Sequence, residues 1–132
     1  VADLALPLLK AVITALKAND TVSSLADRRV YSDIGQGTAF PYLLVTMSAE
    51  PFAADDFSGQ VHTIRVQAFS RQKSPKEALQ LRAAVMEALD RQEDALSVDD
   101  LVMIQLSGMP EPFKEDDGKT WQSIIEFEAT TA

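Results

Sequence analysis

The chain has no cysteine in its 132 residues. Disulfide frameworks and thiolate metal sites are thereby excluded, and the composition fits a reducing compartment. Histidine occurs once, at His62, and tryptophan once, at Trp121. A zinc site would need carboxylates gathered from distant segments around that one imidazole, so His62 reads as a structural residue near a sheet edge. Base is scarce as well: 12 Lys and Arg stand against 20 Asp and Glu, for a formal charge of −8. Phosphate binding draws on clustered Lys and Arg, which argues against tight wrapping of nucleic acid. Long apolar runs are missing too. The N-terminal stretch from Leu4 reaches Lys10 too soon for a membrane span, and no basic region precedes it.

What is present suits one globular domain, residues 1–132, with 46% apolar and 24% charged residues. Leu9, Val12, Ile13 and Leu16 recur at helical spacing, and Pro7 fits near the start of that helix. Asn19 is expected to end it in a left-handed conformation, and Asp20 or Thr21 to cap a short turn through Val22 and Leu25. Gly35 to Pro41 reads as a loop. Tyr42 to Ser48 reads as a strand with Leu43, Val45 and Met47 on one face. Glu50 to Gly59 reads as an acidic loop bearing Phe52 and Phe57. Gln60 to about Phe69 forms a second strand, with His62, Ile64, Val66 and Ala68 inward and Thr63, Arg65 and Gln67 outward.

Ser74-Pro75-Lys76-Glu77 has the spacing of a capping box, with Ser74 and Glu77 exchanging hydrogen bonds and Pro75 at the first helical position. That cap predicts a cost of about 1 kcal/mol for Ser74→Ala. The helix runs to about Asp90 and buries Ala78, Leu81, Val85 and Leu89. Leu101 to Ser107 alternates, with Val102, Ile104 and Leu106 on one face. Met109 to Gly118, with Pro110 and Pro112, reads as a second long loop. Lys119 to Ala129 is a last strand, with Trp121, Ile125 and Phe127 together. The order α-β-β-α-β-β predicts an α+β fold: a largely antiparallel or mixed sheet of about four main strands, with two helices packed on one face.

Catalytic patterns are absent. Gly118-Lys119-Thr120 ends like a phosphate-binding loop, but Phe113 stands where that motif needs glycine, and a strand follows instead of a helix. Asp116-Asp117-Gly118 lacks the alternating acids of a calcium loop and reads as a hairpin turn with Gly at positive φ. The pairs Asp55-Asp56 and Asp99-Asp100 sit on hydrated segments, where neighbouring carboxylates point apart. No Gly-x-Ser-x-Gly occurs. No catalytic residue, cofactor or metal is expected.

The acids fall into three runs: Glu50 to Asp56 with three, Asp90 to Asp100 with five, and Glu111 to Asp117 with four. Such runs read first as solvated loops. The first and third also carry apolar side chains, Phe52 and Phe57 in one, Met109 and Phe113 at the other. Apolar groups on polar loops anchor interfaces or fold back as lids. Val61, Phe69 and Ile124 add apolar surface on the outer strand face.

Several pieces, in this order, resemble the tail terminator, or tail completion, proteins of long-tailed bacteriophages and phage-like gene transfer agents. They are Ala15-Leu16-Lys17-Ala18-Asn19-Asp20, Val22-Ser23-Ser24-Leu25, Arg29-Val30-Tyr31, Phe40-Pro41-Tyr42, the strand Thr63 to Ser70, the helix around Ala78 to Leu89, and Asp116 to Thr120 leading into a strand. The resemblance implies a homohexameric ring that caps the tail tube, ends its polymerisation and forms the head-to-tail joining surface. It implies partners in a second copy, the tail tube protein and a head–tail connector or stopper protein. DNA passes through the lumen without specific binding, no membrane is involved, and the protein resides in the particle after assembly in the bacterial cytoplasm. Phe52, Phe57, Met109 and Phe113 are the expected interface residues. Glu50, Asp55, Asp56, Glu111, Glu115, Asp116 and Asp117 are the expected acids of the lumen or a ring face, where they would repel phosphate. Three rival readings are another neck or head-closure connector, a small dimeric α+β ligand-binding or enzymatic domain with a pocket lined by His62, Trp121 and Arg65, and a plain adaptor that binds one protein partner and never forms a ring.

Overall fold

A computed structural model describes residues 2–33, 38–54 and 57–132. The elements run α1 (Ala5–Ala18), α2 (Asp20–Ala26), β1 (Val30–Tyr31), β2 (Tyr42–Ala54), β3 (Phe57–Ser70), α3 (Lys76–Leu89), α4 (Glu93–Leu96), β4 (Leu101–Gly108), β5 (Phe113–Lys114) and β6 (Trp121–Thr131). The sheet order is β1-β2-β3-β6-β4, with β5 on the free flank of β6's first residues. Among the described strands only β1 runs parallel to its neighbour. The expected α+β class and helix-backed sheet are present. Among the described residues the sheet has six strands, more than the four main ones expected, because two-residue strands carry no readable period.

Strand alternation decides the layers. Leu43, Val45, Ile64, Val66, Ala68, Ile125, Phe127 and Ala129 share one face and are buried against Leu8, Val12 and Leu16 of α1 and Leu81, Val85 and Leu89 of α3. Phe127 is the largest fully buried side chain, and cutting it to Ala costs about 3–5 kcal/mol by lost contacts and the cavity left behind. Among the described residues no helix covers the opposite face. On it Arg65 meets Glu126 at 2.7 Å, flanked by half-buried Leu44, Gln67 and Ile124.

Several expectations change. Asn19 is extended and does not close α1 in a left-handed turn. Its carboxamide oxygen instead accepts from Thr21 and Val22 N–H at 3.0 and 3.1 Å, so Asn19 itself caps α2. The left-handed residues come at the other end of α2, at Asp27 and Arg28. The capping box does not form either. Ser74 only reaches Lys76 N–H, at 3.4 Å, while Glu77 accepts from the Ser70 hydroxyl at 2.8 Å. Ser70 is fully buried at the end of β3, and a buried hydroxyl without an acceptor is expensive. That need recruits the first-turn carboxylate towards the sheet.

The Glu50 to Gly59 segment is strand for most of its length, paired continuously from Tyr42↔Phe69 to Ala54↔Phe57. Backbone pairing tolerates polar side chains on a face without a helix, so weak alternation there did not signal a loop. Gly59 lies where the chain end passes close. A Cβ there would sit 1.9 Å from the Thr131 carbonyl oxygen, so only glycine fits. Val102 is turned out of the core by a bulge between Leu101 and Met103, leaving Ile104 buried and Leu106 packed beside it. Gly35 and Gly37 of the expected loop lie outside the described residues.

Candidate assembly surfaces

His62 lies on the central strand β3 and not at an edge. It is fully buried, its Nε2 3.0 Å from the Thr131 hydroxyl. Burial holds the imidazole below its ordinary pKa, with Asp3 pulling weakly the other way, so the ring is neutral near pH 7. The pocket imagined from His62, Trp121 and Arg65 does not exist. His62 and Trp121 lie on the helix face at opposite ends of the sheet, and odd-even alternation puts Arg65 on the other face. Among the described residues no group of three or more His, Cys, Asp or Glu could hold a metal ion.

The acidic run from Asp90 to Asp100 has an unexpected task. Strand β4 is the sheet's edge, and its outward N–H groups need partners. Asp90 accepts from Leu106 N–H at 2.9 Å, and Glu93 accepts from Ile104 N–H at 3.0 Å. Arg91 N–H donates to the Ile104 carbonyl at 3.0 Å. The Ile104 N–H holds the Glu93 carboxyl below its usual pKa. These contacts seal the edge with side chains. No local spacing announced them, because the partners are 11 and 16 residues away.

Three of the short motifs quoted above converge on one end of the sheet. Val30 and Tyr31 pair with Leu43 and Leu44, and the Arg29 guanidinium donates to the Pro41 and Phe40 carbonyls at 2.9 and 3.3 Å. The Phe40–Pro41 peptide is cis. Arg71 stacks on Phe40 at 4.2 Å, and its Nε donates to the Thr120 hydroxyl at 3.2 Å. Thr120 donates in turn to Asp117 at 2.7 Å, and Asp117 also accepts from the N–H groups of Lys119 and Thr120. Those three donors, led by the Thr120 hydroxyl, lower the Asp117 pKa from 3.8 to about 2. Gly118 turns the chain at φ 69, as the hairpin reading required.

The other expected site residues divide. Met109 and Phe113 are exposed, at 43% and 44%. Phe52 is half-buried near the outer end of the β2–β3 hairpin. Phe57 opens β3, and its side chain lies outside the described part. Glu50, Glu111 and Asp116 face solvent, whereas Asp55 and Asp56 lie outside the described residues. Glu115 is half-buried, and burial, then Asp117, push its carboxyl up. Glu115 and Asp117 thus belong to the folded turn as much as to any charged surface.

Fold and surfaces together define an assembly module: a helix-backed sheet with one uncovered face and apolar side chains exposed at its ends. Residues 10–132 match the family Tail completion protein gp17, and the chain belongs to that family of tail structural proteins. No curated protein matches it. Its fold is similar to that of a chain in the virion of a native gene transfer agent particle, with a TM-score of 0.77 over 93% of this chain and 92% of that one. The two share 17% identity, so this likeness is one of fold.

Proposed function

We propose that this chain, acting as one domain over residues 1–132, closes into a homohexameric ring on the end of the tail tube. The ring stops tube polymerisation and offers the surface to which a head connector or stopper protein binds. It acts by shape and contact and performs no catalysis, needs no cofactor and touches no membrane. Assembly takes place in the bacterial cytoplasm, and the protein stays in the tail or neck of the particle. The observation that carries this reading is the family match across residues 10–132.

The geometry supports it in two ways. A ring needs a heterologous contact, in which two different patches of one subunit meet on neighbouring copies. The uncovered sheet face and exposed Met109 and Phe113 supply apolar area for such contacts, and Phe52 and Phe57 stand at the far hairpin. Solvated Glu50, Glu111 and Asp116 supply negative charge for a channel wall that lets DNA pass by repelling it. Electron microscopy of particles made without this subunit tests the proposal. Overlong tails detached from heads are expected. Tails of normal length firmly joined to capsids would refute it, and normal-length tails without heads would move the role to head closure.

A further inference from the structure

Two clefts at opposite ends of this sheet differ in the charge that lines them. At the end where β3 finishes and β6 begins, Arg71, Lys73, Lys114 and Lys119 line a groove of about 330 Å³ together with Gln72 and Gly118. Arg71 is held by Thr120 and lies 3.9 Å from Asp117. Lys73, Lys114 and Lys119 form no ion pair among the described residues. Exposed Phe113 and Leu79 stand on the elements beside this groove.

The opposite end has the reverse character. Leu4 and Asp99 line one cleft, which places the start of α1 beside the turn into β4. Asp3, Asp99 and Asp100 are exposed there, and no Lys or Arg occurs in residues 2–6 or 94–102. Leu6 and Val102, at 59% and 55% exposure, are the most exposed large apolar residues described. The groove lining is thus basic, with exposed Asp116 and Asp117 on the turn beside it. The opposite end carries acid without base over residues 2–6 and 94–102, and both ends have uncovered apolar side chains. The length of β6 separates the two ends by roughly 35 Å, at the usual rise per strand residue.

We propose that the groove of Arg71, Lys73, Lys114 and Lys119 receives the acidic end of a second copy, so that subunits join head to tail. Ammonium groups meet Asp99 and Asp100, and Phe113 and Leu79 cover Leu6 and Val102. Charge complementarity favours this pairing. Because each subunit carries both patches, one contact can pass from copy to copy head to tail, an arrangement that native mass separates from an antiparallel two-fold dimer joined at both patches. A nucleic-acid phosphate backbone offers no apolar group to cover Phe113 and Leu79, so it matches this end less well. The inference rests on the ring reading and specifies the contact that the ring would use.

The absence of native cysteine makes the test clean. Gln72→Cys and Ala2→Cys place one thiol at the groove and one at the acidic end without removing a charge. The two variants are mixed in equal amounts at low salt and oxidised. A mixed disulfide dimer in large excess over either self-dimer is expected. Adding Lys73→Glu and Lys119→Glu to the groove partner should cut its yield by about tenfold, as should high salt. Asp99→Lys and Asp100→Lys in the other partner should restore it. Self-dimers as abundant as the mixed dimer, indifference to charge reversal, or no cross-linking at all would overturn the proposal. So would binding of a labelled DNA duplex that the groove reversal abolishes while no mixed disulfide forms, since that assigns the groove to phosphate. Native mass separates the two claims. Mixed dimers from open chains keep the docking contact and sink the ring, whereas a closed ring without the mixed disulfide sinks the contact alone.

Discussion

Two acidic runs of similar composition are used in different ways. Between Asp90 and Asp100, Asp90 and Glu93 turn inward and satisfy the outer N–H groups of edge strand β4. Between Glu111 and Asp117, Glu111 and Asp116 remain in water, and Asp117 ties its own turn together through Thr120 and Lys119. Composition alone does not separate a carboxylate that holds the fold from one that meets a partner. What separates them is whether a backbone N–H lacks another acceptor nearby.

The largest effect should come from removing the inward pair. Asp90→Ala with Glu93→Ala leaves two part-buried edge donors without their carboxylates, and about 2–3 kcal/mol of stability should be lost, measured by urea unfolding. A loss under about 0.5 kcal/mol would show that water replaces them freely. Next, Asp117→Ala should lower the melting temperature clearly, while Asp117→Asn, which keeps an oxygen for both N–H donors, should lower it less. Equal losses would make charge, and not turn geometry, the source of the effect.

Acid should reveal the same division. Glu93 and Asp117 have folded pKa values below their unfolded ones, so their stabilisation is present above about pH 4.5 and 3.8 and is lost as pH falls through the folded values, about 2 for Asp117. His62, also lowered, contributes stability above its unfolded pKa of 6.5 that is lost as pH falls towards its folded value. Glu115, raised by burial, works in the opposite sense and gains on acidification. Urea midpoints should therefore fall in two stages on acidification, and the lower stage should shrink in the Glu93→Ala, Asp117→Ala double variant.

The smallest effect on stability is expected at the outward acids. Glu50→Lys, Glu111→Lys and Asp116→Lys should each change unfolding free energy by less than about 0.5 kcal/mol. Together they should nevertheless slow DNA passage through assembled particles, measured as ejection or transfer efficiency. Unchanged passage would remove these acids from the lumen.

The sequence was most legible where one period ran long. Alternation placed His62, Ile64, Val66 and Ala68 on the inner face of β3, and helical spacing placed Leu81, Val85 and Leu89 of α3. It was least legible where a partner distant in the chain decided the outcome. Pairing with β3 extended β2 through Glu50, and β5 exists only by pairing with β6. Glu77 was claimed by buried Ser70 and not by Ser74, so Ser74→Ala should cost little. Among the surface residues, the proline-flanked loop left Met109 and Phe113 readable either as interface anchors or as lids, and only the fold shows them exposed. The groove of Lys73, Lys114 and Lys119 was not readable, because its residues come from two segments about 40 positions apart.

Tube polymerisation in vitro, with and without the purified chain, tests the central claim most directly. Electron micrographs should show tubes growing without limit when the chain is absent. Short tubes bearing a ring at one end should form when it is present. Tubes of the same length distribution in both conditions, with bare ends, would contradict the account.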